Sequence, residues 1–321
     1  MKPLHLLLAL WLMAVGVGAH AADWTPHDTE YSKKGADTCL ECHDTDSDTA
    51  TYTTNGIFKS KHAQRGHAGT PFGKGGLQCE ACHGPGGRHS ASGSKKKLTT
   101  ISFRPDSFLP VAERNAACLQ CHQADRRSAW HDGPHARGDV ACTDCHKLHT
   151  GNDPVKAKAS QPEVCFACHK AQRADFHKAS AHPVKAGKMA CSDCHNAHAD
   201  TSASALLNKP TTLQACQSCH ADKRGPFLWE HAPVAEDCTQ CHSAHGSPRP
   251  ALLAKSPPLL CQQCHSVAGH PAVARTGAAL PATSGGGTAG GASVFLLAGS
   301  CTNCHSRVHG SNHPAGSKLM R

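Results

Sequence analysis

The chain has 321 residues, of which 39 percent are hydrophobic and only 4 percent aromatic, and its formal net charge at pH 7 is +9. So few aromatic side chains exclude a large interior built in the usual way from bulky apolar residues. Beyond the first 21 residues, no apolar run approaches the roughly 20 residues of a transmembrane helix, so no later segment is expected to span a membrane.

Residues 1–21 have the pattern of a secretory signal peptide. Lys2 supplies a positive start, residues 4–18 form an apolar stretch, and Ala19-His20-Ala21 is typical of a cleavage site. An uncleaved membrane anchor is the alternative, but the apolar stretch is shorter than a usual membrane span. We therefore expect a mature chain, residues 22–321, that is exported to the periplasm.

A five-residue pattern, Cys-x-x-Cys-His, occurs ten times and accounts for all 20 cysteines. It is the attachment motif of c-type haem, in which both thiols bond to the porphyrin and the histidine binds the iron. Zinc ribbons and thioredoxin-like sites also contain Cys-x-x-Cys, but they give no reason for a histidine after every pair. A disulfide framework would not space every cysteine alike. The ten pentads therefore predict a decahaem cytochrome c with ten covalently bound haem c groups.

The predicted attachment cysteines are Cys39, Cys42, Cys79, Cys82, Cys118, Cys121, Cys142, Cys145, Cys165, Cys168, Cys191, Cys194, Cys216, Cys219, Cys238, Cys241, Cys261, Cys264, Cys301 and Cys304. The predicted proximal iron ligands are His43, His83, His122, His146, His169, His195, His220, His242, His265 and His305. About 30 mature residues serve each haem, too few to enclose it in apolar side chains. We therefore expect the porphyrins to pack against one another, within reach of electron tunnelling.

The local patterns predict short helices and loops. Pro162-Glu163 indicates a helix start, and the helix is expected to continue to Lys178; residues 111–130 have a similar pattern. No alternating apolar pattern indicates a sheet, and the connections are rich in Gly, Pro, Ser and Lys. The Gly- and Ser-rich stretch 281–293 predicts a flexible linker before the last pentad.

Each iron needs a second axial ligand, which is usually histidine or methionine. Beyond residue 21, the only methionines are Met189 and Met320. Of 27 histidines, two lie in residues 1–21 and ten in the pentads, which leaves fifteen. This surplus predicts histidine on both sides of every iron, which leaves no coordination position for a substrate and lowers the reduction potential. The distal candidates are His62, His89, His135, His149, His182, His198, His231, His245, His270 and His309.

Three of these candidates, His149, His198 and His245, follow a pentad histidine by three positions. His67 competes with His62, and His313 competes with His309. The remaining histidines, His27, His131 and His177, are expected at the surface or beside ligands. The sequence leaves open which distal histidine serves which haem.

The positive formal charge does not point to a nucleic acid. Each haem carries two propionates, so ten haems add roughly twenty negative charges. Many lysines and arginines are then expected to neutralise propionates.

Several segments resemble the MtrA/DmsE family of decahaem cytochromes, which includes relatives of the MtoA and PioA kind. The segments are Lys34–Cys39, Gly76–Pro85, Lys223–Pro226, Trp229–Pro233, Leu260–His265 and Val308–Pro314. The resemblance runs over nearly the whole mature chain. It implies a near-linear chain of ten haems wrapped by loops and short α-helices, with little or no β-sheet. It also implies two pentahaem halves, about 22–180 and 181–321.

The resemblance further implies insertion into an outer-membrane β-barrel porin. Electrons would pass between a periplasmic or inner-membrane cytochrome and an extracellular multihaem cytochrome or terminal reductase. Extracellular respiration of metals or DMSO, or oxidation of Fe(II), is the implied context, and the direction stays open. One alternative is a periplasmic electron shuttle without a barrel. Another is a multihaem reductase, but no pentad has the Cys-x-x-Cys-Lys form that some such enzymes use. We expect an electron-transfer protein without catalytic residues.

Overall fold

The computed structural model describes residues 29–44, 46, 54–92, 100–124, 127, 129–199, 206–266, 270 and 300–320. The expected signal peptide, His27 and the expected linker 281–293 lie outside the described residues. Within the described portion of the chain, no helix is long and apolar enough to cross a membrane.

Short helices joined by loops form the fold. The α-helices are α1 Ala36–His43, α2 Glu80–His83, α3 Gly87–Ser92, α4 Val111–Leu119, α5 Pro134–Arg137, α6 Cys142–Cys145, α7 Gln161–Phe166, α8 Lys170–Asp175, α9 Thr212–Gln217, α10 Ala232–Glu236 and α11 Pro257–Cys261. Short 3₁₀ helices lie at Asn55–Lys59, Lys61–Ala63, Trp130–Asp132, Pro154–Lys156, Cys191–Asp193, Ala221–Lys223, Cys238–Gln240, Pro250–Leu252 and Cys301–Asn303.

Antiparallel pairing in the described residues is limited to four isolated bridges. They are Ser180 with Ser247, His195 with Leu207, Trp229 with Ser311, and His242 with Leu253. The prediction of loops and short helices with little or no β-sheet is therefore confirmed.

Each pentad folds as one helical turn. In the fourth, the backbone N–H of His146 donates to the carbonyl of Cys142 at 2.9 Å, and the tenth has the same bond from His305 to Cys301 at 2.9 Å. Residues at positions i, i+3 and i+4 of a helical turn lie on one face. The two thiols and the histidine of a pentad therefore point to the same side, where they can hold one planar group.

The helix expected from Pro162 to Lys178 is wrong in its extent. Helix α7 begins where proline and glutamate predicted it, but His169 has φ −82° and ψ 64° and separates α7 from α8. The helix expected over residues 111–130 likewise ends at Leu119. At His169 the pentad histidine lies at the end of its own turn, and the backbone leaves helical geometry there.

Among the described residues, the polypeptide supplies only a small apolar core of its own. Phe166, Phe176 and Val184 are buried together, and Met189 packs against them. The other buried apolar side chains include four alanines and lie outside this cluster. A chain of this length normally buries far more apolar surface. The arrangement agrees with an interior completed by haem.

Candidate haem-binding sites

Every pentad histidine faces one of the ten distal candidates. The ring centroids of the ten pairs lie between 5.9 and 6.3 Å apart. The pairs are His43–His89, His83–His149, His122–His62, His146–His198, His169–His135, His195–His245, His220–His182, His242–His309, His265–His231 and His305–His270. Two imidazoles on opposite sides of one metal ion have centroids about 6 Å apart, since a metal–imidazole bond is about 2 Å long. The separation therefore fits an iron between the two rings.

The competing histidines occupy other positions. The Nδ1 atom of His313 accepts a hydrogen bond from the Ala315 amide at 3.1 Å, and Nδ1 of His177 lies 3.2 Å from Nζ of Lys185. Among the described ring contacts, none joins His67, His131, His177 or His313 to a pentad histidine. His62 and His309 are thus the members of each competing pair that face a pentad ring.

The partners follow an interleaved order that the sequence alone does not reveal. His149 lies just after the fourth pentad, yet its ring faces His83 of the second. His198 and His245 likewise face the histidine of the pentad two positions earlier in the chain. The third, fifth, seventh and ninth pentads follow a different rule. The distal histidine of each lies earlier in the chain than the pentad immediately before it. Each pair therefore connects segments that are distant along the chain.

Successive pentads are also neighbours in space. The first cysteines are neighbours in pairs, and in each pair one thiol shifts the pKa of the other: Cys39 with Cys79, Cys118 with Cys142, Cys165 with Cys191, Cys216 with Cys238 and Cys261 with Cys301. Second cysteines interact electrostatically between these pairs, as Cys82 does with Cys121 and Cys145 with Cys168. The same holds for Cys194 with Cys219 and Cys241 with Cys264. The ten pentads therefore form one unbranched series in chain order.

None of the 20 cysteines forms a disulfide, and the second cysteine is exposed in every odd-numbered pentad. Burial raises the pKa of Cys82 to about 11. A hydrogen bond from Cys165 instead lowers the pKa of Cys191 to about 7. These values belong to the unmodified thiols, and thioether bonds to a porphyrin would remove both titrations.

In the described hydrogen bonds, seven paired rings have an acceptor at Nδ1, which leaves Nε2 to face the partner ring. Backbone carbonyls accept from six of them, with distances of 2.7–3.0 Å: His83 to Ile101, His135 to Ala197, His182 to Ala244, His231 to Val308, His242 to Ala251 and His305 to Lys318. The seventh, His146, donates to the carboxylate of Asp153 at 2.7 Å. Such bonds fix both the tautomer and the orientation of a metal-binding imidazole.

Burial favours the neutral form of several paired histidines. It lowers the pKa of His62, His149, His245 and His309 on the distal side. It also lowers the pKa of His83 and His122 in the pentads. The cause is desolvation of the imidazolium in each case. Neutral imidazole is the form that binds a metal.

Three of the Nδ1 bonds connect neighbouring sites. His182 donates to the carbonyl of Ala244, the residue before His245. His135 likewise donates to the carbonyl of Ala197, the residue before His198. His231 donates to the carbonyl of Val308, the residue before His309. Since His245 and His182 face the sixth and seventh pentads, one hydrogen bond fixes the distal rings of two adjacent sites together.

The surroundings of the first pentad suit a porphyrin. A cavity of about 410 Å³ lies beside α1 and is lined by Leu40, Phe58 and Phe72, with Arg65 among its polar residues. Apolar side chains can contact the porphyrin face, and an arginine can pair with a propionate. Among the described residues, no group of three or more His, Cys, Asp or Glu side chains could hold a metal ion.

Comparisons with known proteins agree with this chemistry. Residues 182–225 and 231–270 match the family described as "Doubled CXXCH motif", and residues 79–161 match "Cytochrome c-type protein NrfB-like". The chain is 43% identical to "Multiheme cytochrome MtrA" of Shewanella baltica over 98% of its own length and 94% of the relative. It is 29% identical to "Cytochrome c-type protein NrfB" of Escherichia coli over 46% of its length and 73% of the relative. A Haemophilus influenzae protein of the same name is 27% identical over 42% and 65%.

Proposed function

Because the chain belongs to the MtrA family of multihaem c-type cytochromes, we propose that it carries electrons across the outer membrane through ten haems. The resemblance drawn from the segments flanking the pentads is thereby confirmed at the level of the family. Covalent haem binding and electron transfer follow from that membership and from the pentads. The number of haems, their ligands, the barrel and the partners are what we propose.

Each pentad would hold one haem through its two cysteines, with its own histidine and the facing distal histidine as axial ligands. Haem iron supplies one-electron chemistry by alternating between its ferric and ferrous forms. The ten ring pairs, with centroids 5.9–6.3 Å apart, are the single observation that carries the assignment. With histidine on both sides, the residues leave no position for a substrate, which favours electron transfer over catalysis.

The order of the pentads supports one path along the molecule. Cysteines of each pentad shift the pKa of cysteines in the next, which places successive pentads near one another from Cys39 to Cys301. An unbranched series has two ends, and a conduit needs one end for each side of a membrane. The series is therefore suited to a donor at one end and an acceptor at the other.

We further propose that residues 1–21 direct export and that the mature chain lies in the periplasm, associated with an outer-membrane β-barrel porin. A barrel of this kind has a polar interior behind a lipid-facing apolar surface. It would keep charged groups away from hydrocarbon, where they are costly. An extracellular multihaem cytochrome or terminal reductase would face one end, and a periplasmic or inner-membrane cytochrome would face the other.

Reconstitution in lipid vesicles tests the conduit. The purified holoprotein and its candidate porin are inserted into vesicles that enclose a reducible dye, and a membrane-impermeant reductant is added outside. We expect rapid reduction of the dye with both proteins and none with either protein alone. If both proteins are present and the dye stays oxidised, the conduit is rejected, and a periplasmic shuttle becomes the better assignment.

A stoichiometric measurement tests the sites separately from the barrel. Mass spectrometry of the mature chain should give the mass of ten haems, and EPR of the oxidised protein should give only low-spin iron. A smaller number of haems would overturn the assignment of ten sites. A high-spin signal in the resting protein would favour the multihaem reductase instead.

A further inference from the structure

The fourth pentad has an acceptor at its histidine that differs in charge from the others described. Nδ1 of His146 donates to Oδ2 of Asp153 at 2.7 Å. The corresponding atoms of His83, His242 and His305 donate to backbone carbonyls at 2.7–2.8 Å. The lengths are alike, so the difference between these sites is a full negative charge on the acceptor.

Asp153 is held in place by its surroundings. Its side chain is 13% exposed, and its other oxygen, Oδ1, accepts from the backbone amides of Lys147 and Val155 at 3.2 and 3.4 Å. It caps the 3₁₀ turn Pro154–Lys156. The side chain of Gln161 donates to the carbonyl of Val155 at 2.7 Å and connects this turn to α7. Oδ1 is therefore held by the backbone, and Oδ2 is directed at the imidazole.

We propose that Asp153 is a positioning residue that lowers the reduction potential of the haem held by Cys142, Cys145 and His146. A carboxylate that accepts from Nδ1 draws the proton away from the ring, so that Nε2 becomes a stronger electron donor. A stronger donor stabilises ferric iron more than ferrous iron. The inference rests on the proposed function, because it takes His146 as an iron ligand.

This haem is the fourth in the series of ten. A haem with a lower reduction potential than its neighbours makes electron transfer to it unfavourable and the following transfer favourable. The residue thus shapes the energy profile of the path without contacting a substrate or a partner. The haems of His83, His242 and His305 provide an internal reference, since their proximal acceptors are neutral.

The test is the Asp153→Asn variant of the full holoprotein. Asparagine keeps an oxygen for the two backbone amides, and it replaces the charged acceptor at Nδ1 of His146 by an uncharged NH₂ group that cannot accept. We expect the ratio of ferrous to ferric iron at one haem in ten to rise at least tenfold at fixed solution potential, which corresponds to about 59 mV for a one-electron couple. Redox titration monitored by EPR measures this as one low-spin signal that changes its g-values and disappears at higher potential.

Asp144→Asn is the matched control. Asp144 belongs to the same pentad, and its Oδ2 accepts from the Ala141 amide at 2.8 Å rather than from the imidazole. This variant removes the same charge and should shift the potential less, with unchanged g-values. Asp153→Glu, which keeps the charge, should retain most of the low potential.

The outcomes distinguish the role of Asp153 in tuning the potential from the assignment of ten bis-histidine haems. If Asp153→Asn leaves every potential unchanged, or shifts one no more than Asp144→Asn does, the tuning role is overturned while ten bis-histidine haems remain. If Asp153→Glu shifts the potential as far as Asp153→Asn, the charge is not the cause and the proposal fails. A wild-type protein with fewer than ten haems or with high-spin iron would instead reject the ligand assignment itself.

Discussion

Replacing His149 by alanine should open the iron site of the second pentad, although His149 follows the fourth pentad in the sequence. Its ring centroid lies 6.1 Å from that of His83. The ring of His146, three positions before it, faces His198 at 6.1 Å instead. Removing one imidazole should therefore leave one iron five-coordinate and the others unchanged.

The expected size of the effect is about one high-spin iron per ten, since one axial ligand is lost. Spin quantitation by EPR of the oxidised variant measures it. A second substitution identifies the site. Removing the thiols Cys79 and Cys82 should abolish the high-spin signal together with its haem, whereas removing Cys142 and Cys145 should leave that signal in place.

Two results would refute the reasoning. If the signal is lost with the haem of the fourth pentad, His149 binds beside its neighbour in sequence and the interleaved order is wrong. If no high-spin iron forms, His149 is not a ligand. The control is His177→Ala, because His177 contacts Lys185 and not a pentad ring. That variant should keep every iron low-spin.

Four further substitutions test other regions of the structure. His62→Ala should make one haem high-spin and His67→Ala none, and the opposite result in the same EPR measurement would reverse their roles. Gly246→Ala should destabilise the fold by about 1–3 kcal/mol, because φ is +155° and an added Cβ would overlap the Asp175 carbonyl oxygen; an unchanged melting temperature would contradict this. Ser247→Ala should lower the free energy of unfolding by about 1–3 kcal/mol, because its buried hydroxyl donates to the Leu253 carbonyl at 2.5 Å. Chemical denaturation measures this loss, and a much smaller loss would contradict the prediction.

The pentads were predictable because their geometry is local. Cysteine, cysteine and histidine at i, i+3 and i+4 need only one helical turn to share a face. The number of histidines and their recurring positions were enough to select ten distal candidates, all of which occur in ring pairs. Their roles as ligands stay predictions until the haems are measured.

The pairing was not predictable, because it depends on contacts between distant segments. Nothing in the sequence around His149 distinguishes His83 from His146 as its partner. The helix expected to continue to Lys178 failed for a related reason, since periodicity does not reveal that His169 turns out of the helix. Asp153 gave no signal either, because an aspartate before a proline is common in turns.

Because the ring pairs are interleaved, no position between His43 and His309 divides the chain into two independent sets of pairs. Each interval between paired histidines overlaps the next, from His43–His89 through to His242–His309. A cut near residue 180, where the boundary between two pentahaem halves was expected, would separate His146 from His198. Cleavage at any other point between His43 and His309 would also separate the two histidines of at least one ring pair. A shorter series of sites therefore cannot be made by simple truncation, because both histidines of every affected pair must be removed together.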